Sequence, residues 1–244
     1  MFGAGFGYFY FLVKPPCAGN NVGVVDIMGE IDITEDPDYY SVSSLNVIQR
    51  IEELDANPDI EAVVLDIASG GGATEPSESI MLAVRKVTKP VVAIIRDVGA
   101  SGAYLVATGA DRIFASRLSE VGSIGVTRDF LDISEQDRQN GIIFYNFSSG
   151  KYKGAEKEHN QITQEQRDII MEGVMKSYDI FVEYVAENRN IPIKKVKEIA
   201  TGRTYLGDDA LKLELIDQIG GMSEVDVYLK DIIGEEPSYC YVGE

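Results

Sequence analysis

The sequence predicts an α/β protein with a mainly parallel sheet flanked by helices. Three observations carry this. Short β-branched apolar runs, 22–27, 61–67 and 91–95, alternate with stretches of helical period. Apart from Asp26, Glu61 and Asp66 the runs are apolar, as strands buried on both faces are. Two of them lead straight into glycine-rich turns, Ser69-Gly70-Gly71-Gly72-Ala73 and Gly99-Ala100-Ser101-Gly102. Parallel sheets place their sites in loops at the carboxyl ends of strands, so the two turns are expected to face one another across a cleft.

The elements follow in order. Residues 1–13, MFGAGFGYFYFLV, carry no charge. They are too short for a membrane-spanning helix, which needs about 20 apolar residues, and lack the basic start of a secretory signal. They read as the stub of a membrane anchor, an interfacial segment or an arm on a neighbouring subunit. Lys14-Pro15-Pro16 then reads as a linker. The expected division is an apolar arm and linker over 1–21 and one α/β domain over 22–244.

After the strand at 22–27 comes a helix from about Ser43, with Leu45, Ile48, Ile51 and Leu54 at helical spacing. The helix after 61–67 carries Ile80, Ala83, Val84 and Val87 on one face. Strand 91–95 leads into Ser101 and a short helix of small apolar residues. Further strands are expected at 112–115, 122–126 and 141–146 (GIIFYN). Thr163 with Gln166 makes a capping-box signature for a long helix over 164–188, with Ile169, Ile170, Val174, Ile180, Phe181, Tyr184 and Val185 as its buried positions. Helices at 193–199, 208–213 and 223–233 close the domain.

Composition narrows the function. A net charge of −18 argues against nucleic acid, whose phosphates nothing here would neutralise, and against adsorption to an anionic membrane by charge alone. Two cysteines, Cys17 and Cys240, lie near opposite ends without metal-ligand spacing. One bridge or two free thiols are both open readings. His159 is the single histidine, so a multi-histidine zinc site cannot be built.

Ser101 opens a helix, a position where serine commonly serves only as an N-cap. The functional alternative is a nucleophile on a strand-turn-helix, with unpaired N–H groups behind it. A nucleophile elbow G-x-S-x-G is not matched, because Ala103 stands where the second glycine belongs. A histidine-based triad would need His159, which sits in the charged stretch KEHN and reads as a surface residue. Gly70-Gly71-Gly72 lacks the Lys-Ser/Thr or the G-x-G-x-x-G spacing of a phosphate loop; a tight turn explains it. A serine–lysine dyad remains. Its lysine must be desolvated to fall from about 10.4 towards neutrality. Lys151 and Lys153, in an extended turn after an apolar strand, are the candidates, one expected inward and one outward.

The segments VDIMGEI, SGGGAT, GASGAY, GSIGV, SGKYK and GRTYLGDDALKLELID, in this order, resemble signal peptide peptidase A in its short, single-repeat form. That family belongs to the Clp/crotonase fold superfamily, and the resemblance runs from about Val22 to Gly221. It implies Ser101 as nucleophile and Lys153, not Lys151, as general base. It further implies Ser123 as the hydrogen-bonding partner of the lysine amine, and the N–H groups of Gly102 and Gly71 as the oxyanion hole. The family commonly has Ser-Pro-Gly-Gly in the glycine turn. Here Gly70 replaces the proline, which leaves Gly72 as the alternative donor. Gly154 likewise stands where a polar residue is frequent.

The implied reaction is acyl transfer that hydrolyses cleaved signal peptides or other apolar peptides, with no metal or cofactor. The resemblance also implies a homo-oligomer whose subunits can share a site. It implies a membrane-associated protein with an extracytoplasmic catalytic domain, the N-terminal arm being the candidate membrane contact. Three rival readings stand beside it. One is the related membrane-bound Ser-Lys protease that trims stomatin-like proteins. The others are a crotonase-like acyl-CoA enzyme with Ser101 idle, and an inactive peptide-binding scaffold.

Overall fold

The computed structural model describes residues 17–35, 38–154, 157–159 and 161–242. The apolar arm expected over 1–13 and its Pro15-Pro16 linker lie outside them. Three long strands make the frame: β1 (Val22–Asp32), β3 (Ala62–Gly72) and β4 (Val91–Ala100). They lie side by side and parallel, with Val63 against both Gly23 and Val91. Shorter strands line the two edges. β9 (Tyr239–Tyr241) pairs with the start of β1 and β2 (Ser41–Ser43) with its end. On the other side, β5 (Arg112–Ala115) pairs with Val92–Ile95 of β4 and β6 (Glu120–Gly122) with Val98–Ala100. β8 (Gln218–Ile219) extends the sheet beyond β5. β7 (Thr204–Leu206), antiparallel to β6, is the exception to a parallel sheet.

Side chains alternate across the sheet and define two layers. Val25, Ile27, Val63, Leu65, Ile67, Ala93 and Ile95 face the larger core. It is covered by α1 (Ser44–Ala56), α2 (Thr74–Val84), α3 (Gly102–Thr108) and the end of α5 (Gln164–Asn188). Val22, Val24, Val64, Val92, Ile94 and Phe114 face the other way, onto Val225 and Leu229 of α8 (Met222–Ile233). α6 (Ile193–Ile199) and α7 (Gly207–Lys212) add Val196, Ile199 and Ala210 to the larger core.

Local signals set most of these boundaries. The Ser43 side chain accepts from Asn46 N–H to cap α1, whose buried face is Val47, Ile51 and Leu54. Ile51 and Leu54 are inward as expected, but Leu45 is 59% exposed, because in the first turns the buried face runs through Ser44 and Val47 instead. The capping box of Thr163 and Gln166 forms as expected. Only the last third of α5 reaches the core, through Phe181, Val182 and Val185. Ile169 and Ile180 are exposed.

Two strand expectations are corrected. The strand placed at 122–126 is Glu120–Gly122; Ser123 leaves the ladder at φ 49°. Residues 141–146 form no strand, because none of the described residues pairs with them and a strand exists only through its ladder. They run beside α4 (Ser134–Gln139) as an exposed arm, with Ile143 at 73%, Tyr145 at 71% and Phe147 at 93% exposure. Among the described residues, no helix is long and apolar enough to cross a membrane. Cys17 and Cys240 are bridged, which decides the reading that the sequence left open and ties β9 to the start of β1.

Candidate active site

The sheet bends where the site begins. Register shifts interrupt β1 between Met28 and Glu30, and β3 against β4 between Ile67 and Ser69. Beyond these breaks β3 carries its glycines and β4 ends at Ser101. The Ser101 N–H donates to Gly122 O at 2.8 Å, and its carbonyl accepts from Leu105 N–H at 3.0 Å to begin α3. Strand ladder and helix together hold Ser101 at φ 50°, ψ −125°, a region that side chains with a Cβ sparsely populate. Although Ser101 occupies the N-cap position, its hydroxyl makes no cap hydrogen bond. The bland reading of the sequence, a helix cap, is therefore not what the turn uses this serine for.

The two glycines beside it have different fates. The Gly71 N–H donates to the buried Ser69 Oγ at 3.1 Å. Gly71, at φ +105°, packs so closely that a Cβ there would lie 2.7 Å from Gly102 N and 2.8 Å from Ser101 Cβ. Its glycine is required by close approach and by conformation alike. Gly72 pairs with Ile31, and the next residue, Ala73, donates to Ile31 O at 2.8 Å. By the alternation of a strand the Gly72 N–H points away from β1, toward the Ser101 turn. A Cβ on Gly102 would sit 3.4 Å from Gly72 N and would collide with Ser77 Oγ. Ser77, wholly buried on α2 and donating to Ala73 O, and Ser69 shape this turn. Sequence reasoning missed both, since isolated serines carry no spacing signal.

Ser123 follows β6, one residue beyond the pair Ala100–Gly122, so the ladder sets it beside Ser101. It too has a positive φ, 49°. Its N–H donates to Arg203 O at 2.9 Å and its hydroxyl to Gly202 O at 3.1 Å. With its proton so placed, the oxygen is left as an acceptor for an amine N–H.

The two lysines are not brought to Ser101 within the described chain. They occupy a turn, not an extended segment, and both are exposed, which replaces the expectation of one inward and one outward. Lys151 lies 2.6 Å from the Glu165 carboxylate; that hydrogen bond raises its pKa and holds it protonated. Lys153 donates its backbone N–H to Gly150 O. No hydrogen bond joins its amine to Ser101 or Ser123 among the described residues. His159 is also distant in role. Its Nδ1 meets Asp137 Oδ2 at 2.6 Å and its ring stacks on Phe144, so it is a partnered residue of the arm rather than a free surface histidine.

A cavity opens beside Ser101 between α2, α3 and α5. Gly72 and Gly102 line it with Ser101, whereas Gly71 and Lys153 do not. Its lining residues include Leu105, Val126 and Phe181, with Glu75 and Glu78 of α2. Ile80, Met81, Val121 and Ile124 are all but fully buried and belong to the supporting core. Among the described residues no cluster of His, Cys, Asp and Glu has the arrangement of a metal site.

Comparison with known proteins bears on the same segments. The profile described as Peptidase family S49 matches residues 83–231. A protein of Enterococcus faecium called putative signal peptide peptidase SppA is 33% identical over 81% of this chain and 58% of its own length. A putative protease of Methanocaldococcus jannaschii is 34% identical over 71% of this chain and 56% of its own. The chloroplastic serine protease SPPA of Arabidopsis thaliana is 31% identical over 72% of this chain and 27% of its own. The chain thus spans little more than half of the first two relatives and about a quarter of the third. The matched region contains the Ser101 turn, Ser123, the lysine turn and α5. The parallel α/β architecture, the strained serine at the end of β4 and these matches together place the chain in peptidase family S49.

Proposed function

We propose that this chain is the catalytic domain of a serine endopeptidase that uses a Ser101–Lys153 dyad on apolar peptides, cleaved signal peptides among them. One observation carries the reading: Ser101 is held in a strained turn without a cap hydrogen bond from its hydroxyl, next to Gly72 and Gly102 in one cavity. A structural serine needs none of these features, and strain of this kind is retained where geometry serves chemistry. Neutral Lys153 takes the Ser101 proton, and Oγ attacks the peptide carbonyl. The N–H groups of Gly102 and Gly72 receive the developing oxyanion. Gly71 is the weaker candidate, because its N–H is already donated to Ser69. The protonated lysine then gives its proton to the leaving amine, and as a free base again it activates the water that releases the acyl group.

A lysine is a base only when neutral, which requires removal from water. In one chain Lys153 is exposed, on an arm whose Ile143, Tyr145 and Phe147 also face solvent. The reading that satisfies both facts is a homo-oligomer in which the arm of one copy covers the Ser101 turn of another. Lys153 then meets Ser123 and Ser101 of its neighbour. The Cys17–Cys240 bridge supports placement in an oxidising, extracytoplasmic compartment.

Complementation tests the proposal. Ser101→Ala and Lys153→Ala are each expected to abolish cleavage of an apolar signal-like peptide and the acyl-enzyme seen by mass spectrometry. Mixing the two inactive proteins, with subunit exchange, is expected to restore part of the turnover. Undiminished cleavage by Ser101→Ala refutes the dyad. Failure of exchanged mixtures to recover refutes the shared site.

A further inference from the structure

The cavity beside Ser101 has a chemistry that an apolar substrate alone does not use. Glu75 and Glu78 stand three residues apart on α2 and both line it, as neighbours on one helix face. Neither carboxylate forms an ion pair among the described residues. Glu75 accepts from Ser79 Oγ at 2.7 Å, and Glu78 accepts from the Tyr184 hydroxyl at 2.7 Å. These are neutral donors that orient the carboxylates without cancelling their charge. The Glu78 hydrogen bond also raises the Tyr184 pKa, so the tyrosine stays a donor and Glu78 stays aimed. Across from the carboxylates lie the buried Leu105 and Phe181. The space is about 130 Å³, comparable to cavities that hold a benzene-sized group and therefore suited to one side chain.

A wholly apolar side chain filling this space would strip water from Glu78 and return nothing for it. An acidic one would meet two like charges. A long side chain with an apolar stem and a cationic head answers both walls at once, the stem against Leu105 and Phe181 and the head on the carboxylates. The net charge of −18 adds attraction for a cationic peptide over longer range.

We infer that this cavity selects arginine or lysine at the substrate residue whose carbonyl Ser101 attacks, with Glu78 as the main determinant and Glu75 at its rim. The inference rests on the proposed peptidase activity and adds a specificity to it. An apolar peptide remains a substrate where it carries such a residue.

Acetyl-Ala-Ala-X-aminomethylcoumarin substrates, with X as Arg, Lys, norleucine or Glu, test it on the full chain. The acetyl group removes the α-ammonium, so any cation preference belongs to the side chain. The readout is the ratio of kcat/KM for Arg over norleucine within each protein, which corrects for loss of folded or active enzyme. Wild type is expected to favour Arg and Lys by about tenfold, as one partly exposed charge-assisted contact provides. The ratio is expected to approach one in Glu78→Gln and in the Glu75→Gln/Glu78→Gln double variant. A wild-type ratio near one, with norleucine cleaved through a Ser101 acyl-enzyme, overturns the specificity and leaves the peptidase standing. The same follows if the ratio survives in the double variant. Cleavage of none of the four substrates overturns both.

Discussion

Replacing Ser101 by glycine should stabilise the protein while destroying its activity. At φ 50°, ψ −125° a residue with a Cβ is strained by ~1–3 kcal/mol, and glycine adopts such a conformation freely. Glycine also has more unfolded-state freedom to lose, about 0.5–1 kcal/mol. The serine hydroxyl adds nothing in return, since it makes no cap bond. The net expectation is a gain of ~1 kcal/mol for Ser101→Gly over Ser101→Ala, which keeps the Cβ and therefore the strain. For a chain of this length that is a rise of about 2–4 °C in Tm. Urea and thermal unfolding of wild type, Ser101→Ala and Ser101→Gly under one set of conditions measure it. Both variants should be inactive, with only the glycine variant more stable. If Ser101→Gly is no more stable than Ser101→Ala, the turn holds no strain and the argument from its geometry fails.

Other perturbations read different parts of the site. Ser69→Ala removes the acceptor of the buried Gly71 N–H, and should cost about 1–2 kcal/mol in urea unfolding with a fall in kcat as the glycine turn loosens. Reduction of the Cys17–Cys240 bridge should cost about 2–4 kcal/mol; a Tm unchanged by reductant, or by Cys17→Ser, would refute that role. Peptidase activity should rise from about pH 6 to about pH 9 as the base loses its proton. Glu165 holds Lys151 protonated, so Lys151→Ala should keep this rising limb, and a flat wild-type profile would count against a lysine base.

The course of the main chain was legible in the sequence wherever burial on both faces imposed a largely apolar run. Strand 112–115 and helices 164–188 and 193–199 lie at their expected residues, with caps and glycines marking the ends. Short strands escaped notice. β2, β7, β8 and β9 have two or three residues each, too few for a period to show, and exist because a longer strand offers them an edge. GIIFYN failed in the opposite sense. Its apolar run is real, but no edge within the described chain receives it, and its side chains stay exposed. In α5 the helical period predicts seven buried positions, yet only the last turns meet the core.

The parallel α/β class, the serine at the end of a buried strand, the glycine turn beside it and the single histidine are all present in the sequence. These are properties of short segments, where residue type and spacing decide the local backbone. Only tertiary structure decided how the segments divide the work. The conformation of Ser101 depends on a ladder bond to Gly122 and a helix bond to Leu105. The Gly71 N–H is taken by the Ser69 hydroxyl, and the Ala73 N–H by Ile31 of β1. The cavity sets two glutamates of α2 against Phe181 and the Tyr184 hydroxyl of α5, two elements some 80 residues apart in the chain. Hydrogen bonds and desolvation act between atoms near in space, and one dimension does not record that nearness.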